Sequence, residues 1–320
     1  MSNELTALVT GVAGFVGSAV ARSFLDAGHT VIGVDALRPV YDLAAKRDNL
    51  LTLFDRPGFT FLERDLAHDP LDEVVGGVDV ISHQAGRAGL RDSWDGDFGD
   101  YLRDNVGATQ RLLDAVLEAP RIRRVVLASS SSVYGDAAAF PTREDALPAP
   151  LSPYGVSKLA AEHLGTAYAK ARGLPVVSLR YFTVFGPGQR PDMAFSKMVA
   201  AVTGGPAFPL LGDGGQVRDF TYVGDIADAN LACLDADLPP GTVLNIAGGT
   251  QVRLSDALDV LGEIAGRAVP LERHAAGRGE ARRTSGDVTA ARELLGWAPT
   301  VGLREGLQAQ YDAALARGVG

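Results

Sequence analysis

Residues 8–18 read LVTGVAGFVGS, and this stretch decides the expected fold. Residues 5–10 form an apolar, β-branched run that predicts a strand buried on both faces. Gly11, Gly14 and Gly17 follow at once. Glycines there let the chain turn sharply and bring backbone N–H groups close to a pyrophosphate at a helix N-terminus. A glycine triplet alone is equally typical of a plain tight turn, so a dinucleotide site needs further support.

An acidic residue at the end of the second predicted strand gives that support. Asp35 closes the strand predicted over residues 30–35 and lies 18 residues after Gly17. A carboxylate at this position can accept bonds from the adenosine ribose hydroxyls and repel a 2′-phosphate. Asp65, after the third strand, is placed to reach the adenine. The pattern favours NAD over NADP, although Arg38 nearby leaves NADP open.

The order of the predicted elements indicates an α/β fold, a doubly wound parallel sheet of the Rossmann type. Short apolar runs alternate with longer helical patterns, as in sheets covered by helices on both faces. Further strands are predicted over residues 59–63, 78–83, 124–129 and 176–180, and helices over 15–27, 100–118 and 154–172. After Tyr181 the chain is richer in Gly and Pro, which predicts a smaller, interleaved C-terminal substrate lobe.

The predicted boundaries therefore interleave. Residues 1–180, together with about 225–247, are expected to form the NAD-binding domain. Residues 181–224 and 248–320 are expected to form the substrate domain.

Composition excludes several classes of protein. With 46% apolar residues the 320-residue chain can bury a large core, and its net charge of −9 argues against a nucleic-acid binder. No apolar run approaches the roughly 20 residues of a membrane span, and the N-terminus lacks a signal-peptide pattern. The one cysteine, Cys233, is expected in the core; it excludes internal disulfides and fits a reducing cytoplasm. No cluster has metal-ligand spacing.

Two polar segments carry the chemistry. Residues 129–135 read SSSSVYG at the end of the fifth strand, and residues 152–158 read SPYGVSK. Tyr154 and Lys158 are four residues apart, so a helix places them on one face. An adjacent ammonium lowers the pKa of a phenol from about 10 and makes it usable as a base. The plainer alternatives are an exposed helical pair and a polar strand terminus.

Together these residues resemble the extended short-chain dehydrogenase/reductase family, in its NAD-dependent sugar-nucleotide epimerase branch. The resemblance runs from LVTGVAGFVGS to LLGWAPTVGLREGL (residues 294–307). It implies that Ser130 supplies the catalytic hydroxyl, with Tyr134 closing the VYG motif, and that Tyr154 and Lys158 are the base and its lysine. The expected NAD contacts are Gly11, Gly14, Phe15, Val16, Gly17, Asp35, Asp65, Leu66, Gln84, Ala85, Asn105, Tyr154, Lys158 and Tyr181.

The two residues after Ser130 bear on the reaction. Related dehydratases carry Asp and Glu there for water elimination, whereas this chain has Ser131 and Ser132. The pattern therefore favours epimerisation at the sugar C4, with NAD retained. UDP-glucose/UDP-galactose 4-epimerisation is the nearest alternative, and a sugar-nucleotide decarboxylase or dehydratase and a catalytically silent NAD-binding regulator also remain.

The substrate segment, residues 180–195, reads RYFTVFGPGQRPDMAF and resembles UDP-glucuronate 4-epimerases more than UDP-glucose 4-epimerases. A 5-carboxylate needs donors, which hydroxyls and the Arg190 guanidinium can supply. The alternative for Arg190 is a surface salt bridge with Asp192. The resemblance also implies that Arg218 holds the diphosphate and Glu280 the uridine ribose. The expected substrate contacts are Arg91, Ser130, Ser131, Ser132, Tyr154, Thr183, Arg190, Arg218 and Glu280.

Three expectations concern residues outside the chemistry. His83 is interpreted as structural, because Tyr154 already fills the role of base. Asn105 is expected to tie its helix to the strand edge through side-chain hydrogen bonds. The family resemblance implies a homodimer that packs the helices predicted over residues 100–118 and 154–172.

Overall fold

A computed structural model describes residues 4–90, 92–275 and 281–318 of the chain. Seven parallel strands form the central sheet, in the order β11-β6-β5-β4-β1-β2-β3. With strands numbered in chain order, they are β1 (Thr6–Thr10), β2 (Thr30–Asp35), β3 (Phe59–Glu63), β4 (Val80–His83), β5 (Arg124–Ser130), β6 (Val176–Tyr181) and β11 (Thr242–Ile246). The predicted parallel Rossmann sheet is confirmed.

Helices cover both faces of this sheet, and each face has its own apolar core. Leu8 and Ile81 pack on one side with Leu112, while Val9 and Val80 pack on the other side with Phe24. The helices of the first three quarters of the chain are α1 (Phe15–Asp26), α2 (Leu43–Phe54), α3 (Asp72–Val75), α4 (Asp92–Asp95), α5 (Phe98–Tyr101), α6 (Ala108–Leu117), α7 (Pro153–Arg172), α8 (Ala194–Val202) and α9 (Val223–Asp235).

A smaller lobe completes the chain beside the carboxyl ends of the strands. Its core is aromatic, with the rings of Phe195 and Phe220 4.7 Å apart between centroids and Leu261 and Leu307 packed in the same cluster. The remaining elements are β7 (Val184–Phe185), β8 (Phe208–Leu211), β9 (Val217–Asp219), β10 (Thr221–Tyr222), β12 (Gln251–Arg253), α10 (Leu254–Ala265), β13 (Leu271–His274), α11 (Thr289–Leu295) and α12 (Leu303–Ala316).

Local sequence explains where α7 begins and ends. Ser152 caps its N-terminus by accepting a hydrogen bond from the Gly155 N–H, and Pro153 occupies the first turn, where its missing N–H costs nothing. Gly173, at φ 72°, closes the C-terminus in the left-handed conformation that glycine adopts without strain. The helix therefore starts one residue before Tyr154.

A buried ion pair fixes α7 to the sheet. Arg180 on β6 donates from Nε and Nη2 to the two carboxylate oxygens of Glu162 on α7, at 2.9 and 2.6 Å. Ser129 on β5 donates to the same carboxylate at 2.6 Å. Three elements are therefore joined by one charged group next to the strand end that carries Ser130.

Two sequence predictions need correction. The helix predicted over residues 100–118 is divided, because α5 ends at Tyr101 and a π-helical turn, Leu102–Gly107, precedes α6. Helix α2 was missed, since its apolar residues alternate irregularly with charged ones.

After β6 the chain returns to the sheet twice, as α9 packed on one face and as β11 at the edge. Cys233 lies buried in α9, as predicted.

Candidate active site

The carboxyl ends of the sheet strands meet the smaller lobe at a cavity of about 630 Å³. Ligands in open α/β sheets bind at this edge. Most of the residues expected to contact cofactor or substrate line it, from the ends of six different strands and from α7. They are Gly11, Gly14, Phe15, Val16, Gly17, Asp35, Asp65, Leu66, Gln84, Ala85, Ser130, Ser131, Ser132, Tyr154, Lys158, Tyr181, Thr183 and Arg190.

The glycine turn is built for close backbone approach. Gly11 has a φ of 66°, and a Cβ on Gly17 would lie 2.1 Å from the Gly11 carbonyl oxygen, so a side chain there does not fit. Gly14 caps α1 without any side-chain hydrogen bond, which leaves the first N–H groups of the helix facing the cavity. Such a bare helix N-terminus is suited to a pyrophosphate.

The Asp35 carboxylate is buried and already accepts three hydrogen bonds. The backbone N–H groups of Ala13 and Leu37 donate at 3.2 and 2.8 Å, and Lys46 Nζ donates at 3.0 Å. A carboxylate offers about four acceptor sites, so one remains for a ribose hydroxyl. Lys46 was missed by the sequence analysis because α2 was missed.

Arg38 does not offer its charge to a 2′-phosphate. Its guanidinium forms salt bridges with both Asp65 and Asp104. Burial would raise the pKa of Asp65, but the hydrogen bonds from Arg38 and the Ala67 N–H outweigh it and hold that pKa below its ordinary value. The possibility of NADP that Arg38 left open is therefore not supported by the geometry.

Ser130, Tyr154 and Lys158 face the same cavity. Ser130 ends β5, and its hydroxyl both donates to Ser132 Oγ and accepts from the Ser132 N–H, each at 3.1 Å. The Ser130 hydroxyl also acts on the Tyr154 phenol and lowers its pKa, against the larger effect of burial. Lys158, one turn later on α7, donates from Nζ to the Ala128 carbonyl oxygen at 2.8 Å.

The expected effect of the lysine on the phenol is not seen here. Burial raises the pKa of Tyr154, and only the Ser130 hydrogen bond and the Arg190 charge oppose this. Burial also lowers the pKa of Lys158 to about 8. The amine is bonded to the Ala128 carbonyl oxygen and is not among the groups that lower the phenol pKa. The cation that acts on Tyr154 is Arg190, from another part of the chain.

His83 lies beneath the site with both ring nitrogens occupied. Nδ1 is 2.7 Å from Thr10 Oγ1, and Nε2 is 3.0 Å from Thr109 Oγ1. Burial, followed by the Lys158 charge, lowers the pKa of His83 to about 3. The ring is therefore neutral and ties β4 to β1 and α6, which supports its interpretation as structural.

Gln84 and Tyr181 belong to a second polar network. Gln84 Nε2 donates to Tyr181 Oη at 3.0 Å, and Asn230 Nδ2 donates to the same oxygen at 2.8 Å. Burial raises the pKa of the Tyr181 phenol well above its ordinary value. Both side chains thus line the cavity while their polar ends are held by the protein.

Asn105 does not line the cavity, so a direct cofactor contact is not supported. Its amide accepts from the Arg87 N–H at 2.7 Å and donates to the Arg87 carbonyl at 3.0 Å and to Ser157 Oγ at 2.9 Å. The π-helical turn places it there. As expected, Asn105 ties its helix to the strand edge, and it also holds the loop after β4 against α7.

The substrate side continues into a smaller cavity of about 70 Å³, shared by Ser131, Ser132, Thr183 and Arg218. Arg218 on β9 is therefore set apart from the large cavity but adjoins it. The other two expected substrate contacts, Arg91 and Glu280, lie outside the described residues.

Arg190 lines the large cavity but is not free. Nε and Nη2 donate to the two oxygens of Asp192 at 3.0 and 2.6 Å, which is the salt bridge weighed as the alternative. The guanidinium carbon also lies 5.0 Å from the centroid of the Tyr41 ring. Arg190 therefore lines the cavity, but its guanidinium is already bonded to a carboxylate of the protein.

Lysine distribution was an overlooked signal. The chain has 4 lysines among 30 basic residues. Three of them, Lys46, Lys158 and Lys197, line the large cavity. In a chain that otherwise uses arginine, lysine at these positions marks the site, and Lys197 on α8 was not predicted.

Comparison with known proteins agrees with this geometry. The model of the NAD-dependent epimerase/dehydratase family matches residues 7–247. The chain belongs to this family. The predicted resemblance to sugar-nucleotide epimerases is confirmed, and NAD is the cofactor on which the family depends.

Three similar proteins illustrate the range of the family. A UDP-glucuronate 4-epimerase of Thermodesulfobacterium geofontis is 33% identical over 94% of this chain and 93% of that protein. An uncharacterized UDP-glucose epimerase of Bacillus subtilis is 38% identical over 94% and 95%. The solved UDP-glucuronic acid 4-epimerase of Bacillus cereus, in complex with UDP-glucuronic acid and NAD, is 37% identical, with a TM-score of 0.93 over 98% and 99% of the two chains.

The described ranges hold neither a membrane-spanning helix nor a metal-binding cluster of side chains. None of their helices combines the length and hydrophobicity that a bilayer crossing requires. Nowhere in the same ranges do three or more His, Cys, Asp or Glu side chains converge as metal ligands would.

The buried His83 predicts an acid-sensitive fold for this family member. The unfolded chain protonates this histidine below about 6.5, while the folded protein does so only near pH 3, so the free energy of unfolding falls as the pH drops through this window. His83→Gln removes the titration. We expect the stability difference between pH 7 and pH 4.5 to shrink by about 2 kcal/mol, measured by urea denaturation.

The matched control is His163→Gln, an exposed histidine on α7. This variant should follow the wild-type pH dependence. Equal loss of stability in wild type and His83→Gln between the two pH values would contradict the role given to His83.

Proposed function

We propose that the protein catalyses the reversible C4 epimerisation of a UDP-sugar, with UDP-glucuronate to UDP-galacturonate as the best assignment. The observation that carries the proposal is the meeting of Ser130, Tyr154 and Lys158 with Arg190 in one cavity. A proton acceptor and an anion-binding group then face the same sugar. The relatives and the solved structure named above support the substrate class.

The residues present fit NAD. The glycine turn and the bare N-terminus of α1 suit the pyrophosphate, and Asp35 retains one acceptor site for the ribose. Asp65, Leu66 and the residues after β4 and β6 complete the lining. When bound, NAD accepts a hydride from the sugar C4 and returns it, and its oxidised nicotinamide adds a positive charge to the site.

The protein's own groups handle the proton. Tyr154 takes the proton of the 4-hydroxyl, and Ser130 bonds the same oxygen as it becomes a carbonyl. Because burial raises the pKa of the phenol, positive charge must help it ionise, and Arg190 already supplies part of this charge. Lys158, with a pKa of about 8, is mostly protonated at neutral pH, and Tyr154 returns the proton to the C4 oxygen when the carbonyl is reduced. The 4-keto sugar turns over and is reduced on its other face.

The serines argue against elimination chemistry. Ser131 and Ser132 hold the positions at which related dehydratases carry acids, and a hydroxyl does not transfer protons near pH 7 as a carboxyl does. They serve instead as donors to the sugar, together with Thr183. Arg218 and Glu280 are proposed for the diphosphate and the uridine ribose, and Arg91 for the diphosphate.

A neutral substrate is the second candidate. The Arg190 guanidinium is bonded to Asp192, so it is not presented to the sugar as an unpaired cation. The Bacillus subtilis relative described as a UDP-glucose epimerase points the same way. UDP-glucose/UDP-galactose epimerisation is therefore the activity to test beside the first.

The proposal extends to organisation and location. Residues 1–180 with about 225–247 form the NAD-binding domain, and residues 181–224 and 248–320 the substrate domain. A homodimer formed through α7 and the π-helical turn before α6 is supported by Val156 on α7 and Leu102 in that turn, which are both 45% exposed. The cytoplasmic location favoured by the cysteine usage stays a prediction.

The first test uses purified protein without added NAD. Incubation with UDP-glucuronate should give UDP-galacturonate, resolved by anion-exchange chromatography. Tyr154→Phe should lower the rate at least about a hundredfold, because a proton acceptor is lost. A pentose product with released CO₂ would instead identify a decarboxylase, and no turnover with tight NAD a binding protein.

The control for this variant is Tyr168→Phe on the same helix. The Tyr168 phenol bonds Asp114 at the surface and lies outside the cavity lining. The Tyr168→Phe variant should keep full activity. Full activity of Tyr154→Phe, with an unchanged circular dichroism spectrum, would remove the proposed mechanism.

A second prediction concerns Arg190. Arg190→Ala should reduce kcat/KM for UDP-glucuronate by about ten- to a hundredfold, since a charge-assisted hydrogen bond to the sugar carboxylate is lost. The value for UDP-glucose should fall less, because that substrate loses only the effect of the Arg190 charge on Tyr154, and Arg143→Ala, in an exposed pair, should change neither value. Equal losses on the acidic and neutral sugars would show that Arg190 does not read the carboxylate.

A further inference from the structure

We propose that Asp192 determines how strictly the site selects an acidic sugar over a neutral one, as a built-in anionic partner of Arg190. The inference rests on the proposed function, because it concerns the sugar pocket of that site. The sequence suggests no role for Asp192 other than a surface salt bridge with Arg190.

The pair is placed inside the site. Both Arg190 and Asp192 line the large cavity, and the arginine side chain is only 12% exposed. The contact is bidentate, with two parallel N–H donors on two oxygens at 3.0 and 2.6 Å. A substrate carboxylate would form the same bidentate contact with the same guanidinium.

Arg190 is held over the cavity by more than Asp192. Its guanidinium carbon lies 5.0 Å from the Tyr41 ring centroid, within the range of cation–π attraction. Nη1 also donates to the Ala88 carbonyl oxygen at 3.4 Å. These contacts come from the segments after β2 and β4, so neutralising Asp192 does not release the arginine.

The charge balance then sets the selectivity. With Asp192 ionised, the pair carries no net charge, so a neutral hydroxymethyl group does not leave a buried cation unpaired. An acidic sugar meets the same pair and must share or replace the partner of Arg190. Asp192 therefore favours tolerance of neutral sugars and weakens the preference for acidic ones, because leaving a charge unpaired is costly.

Two other ion pairs line the cavity, as do the cations Lys158 and Lys197. Lys46 is paired with Asp35, and Arg38 with Asp65. These pairs lie where the cofactor is expected. Of these three ion pairs, that of Arg190 with Asp192 is the one that lies where the sugar is expected.

The test replaces the carboxylate by two neutral polar groups, one of the same size and one smaller. Asp192→Asn and Asp192→Ser should each raise the ratio of kcat/KM for UDP-glucuronate over UDP-glucose at least about fivefold. The ratio of Kd values from isothermal titration calorimetry should move in the same direction. Asp192 is partly exposed, so both variants should fold, as judged by circular dichroism.

The chain offers a matched control. Arg143 and Asp145 form the same arginine–aspartate pair at the same two-residue spacing, at 3.3 Å, and are largely exposed. Neither lines the cavity. Asp145→Asn should leave both ratios unchanged.

The possible failures are distinguishable. If the wild type turns over neither sugar, the proposed function fails, and the Kd ratio still decides the role of Asp192. If turnover is present and the ratio for Asp192→Asn is unchanged or falls, Asp192 does not set selectivity and the inference is overturned. Absence of binding by either nucleotide sugar would overturn both.

Discussion

The bidentate pair between Arg180 and Glu162 is the interaction on which the site depends. Both side chains are nearly fully buried, and Ser129 shares the carboxylate. Glu162 lies one helical turn after Lys158, and Ser129 directly precedes Ser130. Because loss of one partner of a buried pair costs about 3–5 kcal/mol, α7 cannot shift along β5 without a large penalty. The hydroxyl on the strand and the phenol on the helix are thereby held at one edge of the cavity.

Three salt bridges pair charged side chains in the cavity. Asp35 with Lys46, Asp65 with Arg38 and Arg190 with Asp192 each neutralise a group that would otherwise stand uncompensated in a partly buried place. The pairs differ in what they hold. The first two lie on the side of the glycine turn, and the last faces the proposed sugar pocket. Within these three pairs the charges of the cavity lining are balanced, while Lys158 and Lys197 add further cationic groups.

Prediction from sequence succeeded where local rules decide. Strands β2 and β3 match the predicted bounds, and Tyr154 with Lys158 follows from helical spacing alone. The interruption at Leu102–Gly107 was not predictable, because the bonds of Asn105 reach segments distant in the chain. Helix α2 carries no regular apolar stripe, so Lys46 was not assigned to the site. The Arg190 guanidinium was expected near an anion, but its pairing with Asp192 depends on loop geometry.

The sequence by itself determined the parallel sheet, the glycine turn, the family and the candidate residues for proton transfer. These depend on periodicity and on short spacings that the backbone translates directly into neighbours. Only the tertiary structure decided the electrostatics. Burial raises the pKa of Tyr154 and lowers that of Lys158 to about 8, and the charge acting on the phenol comes from Arg190, 36 residues along the chain. Desolvation and distant charges arise only when separate segments pack together, which no local pattern records.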